Sequence, residues 1–153
     1  MSHQIRTATE ADLEQIMLIE KACFGNDAWS KSNMKSELLA PHTTYVVAEE
    51  NNSLVGYAGL SQLASSTSSD IQTIAVSESH RGLGIGRLLM ESLLATARKQ
   101  NASEVFLEVR EDKPTPQELY KSLGFVGIDR RENYYQPDGV AAIVMRLELG
   151  DQK

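Results

Sequence analysis

At 153 residues, with 41% hydrophobic and 24% charged side chains, residues 1–153 have the size and composition of one globular domain with a substantial core. The net charge of −6 argues against nonspecific binding to nucleic acid, which draws its affinity from phosphate neutralisation, and no apolar run approaches the roughly 20 residues that span a bilayer. A single cysteine, Cys23, precludes an intrachain disulfide, and the opening residues lack the apolar core of a secretion signal, so a reducing, cytoplasmic setting is expected.

In chain order, residues 5–8 read as a short strand. Thr9 and Asp12 then form a capping-box pattern ahead of a helix carrying Leu13, Ile16, Met17 and Ile19 at near-helical spacing. Cys23, with no partner nearby in sequence, reads as a small buried residue. The stretch from Phe24 to Trp29 is a loop with two aromatics, and two readings of Trp29 stand: a lid over the core, or a wall of a substrate groove. Ser30 is a natural N-cap for a second helix with Met34, Leu38 and Leu39 on its apolar face, which Pro41 stops. Residues 44–48 and 54–60 are β-rich and flank a polar turn, the pattern of an antiparallel hairpin.

The serine-rich run from Ser65 to Asp70 reads as a solvated loop before a strand over residues 71–76. Next come Arg81, Gly82, Leu83, Gly84, Ile85, Gly86 and Arg87, and then an amphipathic segment with Leu88, Leu89, Leu93, Leu94 and Ala97. Strand, glycine loop, helix is an arrangement that presents free backbone N–H groups and the positive end of a helix dipole to an anion, most often a phosphate. It is not a P-loop, because Arg87 and Leu88 stand where Lys and Ser or Thr are required, nor a dinucleotide fingerprint, whose third glycine would fall at Arg87. Asn101 ends the helix, and a strand over residues 104–110 follows. Strand, helix and strand in succession imply a right-handed crossover with residues 71–76 and 104–110 parallel. Thr115 and Glu118 read as the capping box of a last helix ending at Gly124, and two more β-rich segments, 125–131 and 141–149, are joined through residues 134–139. The whole predicts an α/β sandwich around a mixed sheet. His3, His42, His80 and Cys23 show no ligand spacing, and no metal is expected.

Arg81-x-x-Gly84-x-Gly86 resembles the acyl-CoA pyrophosphate loop of the GCN5-related N-acetyltransferases, the GNAT superfamily. The order of elements resembles the GNAT fold along nearly the whole chain, and Leu119-Tyr120 through Gly124-Phe125 matches a second block of that family. The segments from Phe24 to Ser30, from Leu107 to Arg110 and from Arg130 to Tyr135 are similar to those of the RimI subfamily, which acetylates the N-terminal alanine of ribosomal protein S18.

The resemblance implies an acetyl-CoA-dependent N-acetyltransferase without a metal, acting on a protein N-terminus such as that of S18. Ile74, Ala75 and Val76 would pair their backbone with the pantetheine arm, Gly82 to Arg87 would hold the pyrophosphate, and Lys113 would stand near it. Glu108 would be the base and Tyr120 the proton donor to the departing thiolate. Trp29, Tyr134 and Tyr135 would line the acceptor groove. Three positions depart from the family pattern: Lys113 replaces an Asn, Ala28 a Pro, and Val140-Ala141 a Glu-Asp pair. The residues themselves leave other readings open. Glu108 as a glutamate that faces solvent or pairs with Arg110, Tyr120 as a helix residue packed on the sheet, and a small amine as the acceptor are the alternatives. A noncatalytic acyl-CoA-binding module is a third reading, and the oligomeric state is open.

Overall fold

The computed structural model describes residues 4–150, so His3 lies outside it. A seven-stranded sheet runs in the order β1-β2-β3-β4-β5-β7-β6, with β1 Gln4–Thr7, β2 Thr43–Glu50, β3 Ser53–Ser61, β4 Ser68–Val76, β5 Glu104–Arg110, β6 Val126–Tyr135 and β7 Val140–Glu148. All neighbours are antiparallel except β4 and β5, so the expected mixed sheet is present. The helices are α1 Leu13–Phe24, α2 Lys31–Leu39, α3 Ile85–Lys99 and α4 Pro114–Ser122. None of the helices in the described residues is long and apolar enough to cross a membrane.

Local chemistry accounts for most boundaries. Ahead of α1 the Asp12 carboxylate accepts from the Thr9 N–H at 2.8 Å and pairs with Arg6, which also reaches Glu49 of β2. Ser30 caps α2 by accepting from the Asn33 N–H at 3.0 Å. Asn51 and Asn52 both adopt left-handed backbone, which a two-residue hairpin turn demands. The amphipathic face of α3 buries Leu89, Met90, Leu93, Leu94 and Ala97 in the main core with Val105, Leu107, Phe125 and Met145. A second core on the opposite sheet face joins α1 and α2 to Tyr45, Val47, Tyr57 and Ala75.

The structure corrects three expectations. Ser68, Ser69 and Asp70 belong to β4 rather than to a solvated loop. Ser69 is fully buried with its hydroxyl donating to Gln62 at 2.7 Å, and Ser68 donates to Glu104 at 2.6 Å; these bonds replace the apolar pattern by which a strand is normally recognised. Helix α4 starts at Pro114, so Lys113 occupies the N-cap and the Thr115–Glu118 box does not form. Proline suits this first position because its missing N–H is needed by no helical bond. Tyr134 and Tyr135 end β6 instead of opening a loop. The register there passes from Arg131 opposite Ala142 to Tyr135 opposite Val140, leaving two extra residues in β6.

Candidate active site

The parallel strands β4 and β5 pair only over Ser68–Asp70 and Glu104–Phe106. Beyond that point Ile71–Val76 pairs with β3 alone and Leu107–Arg110 with β7 alone. The sheet therefore opens into a seam, with Ile74, Ala75 and Val76 on one bank and Glu108 on the other. A bulge at Gln72, where Gly59 faces Thr73 and Leu60 faces Ile71, marks the start of the opening in β4.

The glycine loop lies at the end of the β4 bank. Gly82 and Gly84 have φ of 79° and 84°, and a side chain at either would meet no atom within 4 Å, so the loop is bare backbone beneath open space. The first bond of α3 runs from the Leu88 N–H to the Gly84 carbonyl, and the N–H groups ahead of it lack helical acceptors. Gly86 is small for another reason: a Cβ there would come within 3.3 Å of Leu119, which packs α4 against α3. Ile85 is buried and Leu83 is exposed. The Arg81 guanidinium turns back on β4, donating to the Val76 carbonyl at 3.2 Å and lying 3.3 Å from the sulfur of half-buried Cys23. Arg87 reaches Ser122 and Glu91. Exposed Lys113 stands at the start of α4.

On the other bank Glu108 points away from Leu107 and Val109, which serve the α3 core. Its carboxylate accepts from the Tyr134 hydroxyl at 2.7 Å and pairs with Arg131 at 3.0 Å, with the side chain one-third exposed (32%). Its partner is thus Arg131, not Arg110. The bond to Glu108 raises the Tyr134 phenol above its ordinary pKa. Tyr135 packs edge-on against Tyr134 at 5.0 Å, and burial with the charge of Glu108 pushes its phenol up to about 12. Tyr120 is buried edge-on to Phe125. Burial and then Tyr135 hold its phenol well above the usual range, so it stays protonated at neutral pH. No group among the described residues hydrogen-bonds the Tyr120 hydroxyl, and a buried hydroxyl in that condition is unusual.

Trp29 is partly buried against the second core, and its backbone N–H donates to Glu20 at 2.8 Å. Glu20 is itself buried (1% exposed) and also accepts from the Tyr57 hydroxyl. Sequence reasoning passed over Glu20, although it lies four residues after Ile16 on the buried face of α1. Arg131 and Asp70 were passed over too. Asp70 stands where the seam begins, and burial followed by the charge of Glu108 raises its carboxyl above the ordinary range. The structure brings Glu108, Tyr134 and Tyr135 together, and Tyr120 lies near enough to Tyr135 to feel its charge; Trp29 packs instead against the second core.

A seam in a sheet, a bare loop at a helix start, a carboxylate and a buried phenol together can present free backbone N–H groups to an anion beside groups able to exchange protons. The family model for the acetyltransferase (GNAT) family matches residues 13–125. The chain belongs to the GNAT family. It is similar to the N-alpha-acetyltransferase RimI of Mycobacterium tuberculosis, with 38% identity over 96% of this chain and 93% of that one. Identity to a putative ribosomal protein bS18-alanine N-acetyltransferase of Bacillus subtilis is 29%, covering 96% of each. Among solved structures, the ribosomal-protein-S18-alanine N-acetyltransferase of Escherichia coli superposes with a TM-score of 0.87 at 27% identity, covering 97% of this chain and 95% of that one. This GNAT protein is accordingly an N-acetyltransferase, and GNAT acetyltransferases use acetyl-CoA.

Proposed function

We propose that the chain transfers an acetyl group from acetyl-CoA to the α-amine of a protein N-terminus, with the N-terminal alanine of ribosomal protein S18 as acceptor. The observation that carries this reading is Glu108, a carboxylate on one bank of the seam that is held by Tyr134 at 2.7 Å. An α-amine has a pKa of about 8 and is mostly protonated at neutral pH, so transfer needs a group to take up its proton. Glu108 receives that proton. Tyr120 supplies one to the sulfur that leaves as thiolate, so each side of the exchange is balanced; its unpartnered hydroxyl suits that task. The backbone of Gly82 to Arg87 and the start of α3 receive the pyrophosphate, aided by Lys113 as a point charge, and the backbone of Ile74, Ala75 and Val76 pairs with the pantetheine arm. Open space above Gly82 and Gly84 fits such an anion. Trp29, Tyr134 and Tyr135 form the walls against which the first residues of the acceptor pack.

The names of the Bacillus subtilis and Escherichia coli relatives support alanine of S18 as acceptor. The test is acetyl-CoA turnover with peptides beginning with Ala, Ser, Met or Gly, run beside a panel of small amines. Acetylation of the α-amine of the Ala peptide is the expected result. An enzyme that modifies only small amines or lysine side chains overturns the acceptor assignment and leaves the acetyl-CoA reading standing.

A further inference from the structure

Arg110, the last residue of β5, lies two positions beyond Glu108 on the same sheet face. Its guanidinium gathers three carboxylates from three separate connections. Nη1 meets Asp27 at 2.8 Å, Nη2 meets Asp138 at 2.7 Å, and Nε and Nη2 meet Asp112 at 3.1 and 3.2 Å. The same group lies 5.2 Å from the centre of the Tyr135 ring, within the range of a cation–π contact. Asp27 precedes Trp29 by two residues in the α1–α2 connection, and Asp138 lies in the β6–β7 turn that follows Tyr135. The Arg110 side chain is 17% exposed, so these bonds are less screened than those of a free surface pair. One positive charge serves three negative ones, and without it the carboxylates of the two outer connections would repel each other.

We infer that Arg110 is a positioning residue for the acceptor: by tying Asp27 to Asp138 across the Tyr135 ring it sets the distance between the Trp29 wall and the Tyr134–Tyr135 wall. The inference rests on the proposed reading of those walls as an acceptor groove. A planar fork whose donors diverge from three nitrogens is needed to reach carboxylates in different directions while lying on a ring, and a lysine carries all its donors on one tetrahedral nitrogen. Gln117 keeps the fork's origin in place, donating to the carbonyls of Arg110 and Glu111 at 3.0 Å each.

The chain has one tryptophan, so its fluorescence reports on the wall next to Asp27 without a label. The experiment compares parent, Arg110→Gln, Arg110→Lys and Arg110→Gln with Asp27→Asn, by acrylamide quenching of Trp29 and by steady-state kinetics with an Ala-initiated peptide and acetyl-CoA. For Arg110→Gln the quenching constant should rise, and the peptide KM should rise on the order of tenfold, the scale of one charge-assisted hydrogen bond lost. The acetyl-CoA KM should stay within about twofold by the same measure, since the loop at α3 is not touched. Arg110→Lys should fall between. Adding Asp27→Asn should recover part of the loss by removing a carboxylate that has lost its counter-charge. Unchanged quenching in Arg110→Gln overturns the inference. So does a rise of both KM values in step with a lower melting temperature, which is the mark of a general fold staple. The quenching arm needs no acceptor: if the parent fails to acetylate the peptide, the acceptor assignment falls, and quenching still decides whether Arg110 holds the Trp29 wall.

Discussion

Replacing Gly84 tests the anion site with a magnitude that the geometry supplies. At φ 84° and ψ 7°, an Ala bears the cost of left-handed backbone, about 1–2 kcal/mol, but meets no steric clash, since its Cβ would have no atom within 4 Å. A chain of this size loses about 2–4 °C of melting temperature per kcal/mol, so Gly84→Ala should remain folded with a modestly lower transition. Gly84→Glu carries the same backbone cost and adds a negative charge. At about 5 Å from a phosphate the repulsion is about 0.8 kcal/mol in a water-like dielectric and about 3 kcal/mol at an effective constant of 20. Those limits correspond to roughly fourfold and roughly two-hundredfold weaker binding of acetyl-CoA. Calorimetric titration of parent, Gly84→Ala and Gly84→Glu at low and high salt reads the difference, which should shrink as salt screens it. If the Ala and Glu variants bind acetyl-CoA with equal affinity at low salt, no phosphate lies over this loop.

Glu108→Gln keeps an acceptor for the Tyr134 hydroxyl but cannot take up a proton, so turnover should fall by about 10²–10⁴ and recover in part as pH is raised toward the pKa of the amine; a pH–rate profile that overlays the parent makes Glu108 structural. Tyr120→Phe should slow transfer while leaving stability equal or slightly higher, because it removes a buried hydroxyl that has no partner; urea titration beside turnover separates the two. Glu20→Ala leaves the Trp29 backbone N–H and the Tyr57 hydroxyl without their acceptor and should cost about 3–5 kcal/mol of stability, read from the urea midpoint. At acid pH the pair of Asp12 with Arg6 is informative. Hydrogen bonding to Arg6 holds Asp12 below its ordinary value, so the pair's contribution is complete above the unfolded value of about 4 and is lost as pH falls through the lower folded value. Asp12→Asn should therefore be less stable than the parent at neutral pH and lose less on acidification.

What was legible in the sequence was whatever chemistry is local. Thr9 with Asp12, Ser30, the polar hairpin turn and the amphipathic face of α3 each act within a few residues and stand where the pattern puts them, except that Leu88 of α3 faces outward. The opening residues of β4 were misread because Ser68 and Ser69 satisfy their hydroxyls through Glu104 and Gln62, partners brought up only by the sheet. Thr115 was misassigned because two prolines compete for the start of α4, and the earlier one took it. In the candidate site, the glycine loop, Glu108 and Tyr120 stood out through motif resemblance. Arg131 and the several partners of Arg110 did not, since a charged residue on an exposed strand carries no sign of which distant carboxylate it meets. Glu20 looked like one more charge on a helix, and only the Trp29 connection crossing above α1 gives it work to do.

Strand β6 is one of the two edges of the sheet, with nine of its ten residues exposed, among them Val126 and Ile128. A straight, apolar edge of that length is a template onto which another chain can add a strand and begin to aggregate. Here the ladder is broken twice, once between Gly127 and Asp129 and again between Arg131 and Tyr135; the charges Asp129, Arg130 and Arg131 lie between the breaks and Glu132 lies inside the second. An incoming strand would find no run of regular spacing long enough to zip along, and it would have to strip water from four ionised groups. Tyr134, whose hydroxyl donates to Glu108, lies within the second break. Straightening β6, by deleting the two surplus residues, would therefore be expected to cost the enzyme twice, exposing a sticky border to its neighbours while withdrawing a phenol from the carboxylate that it holds.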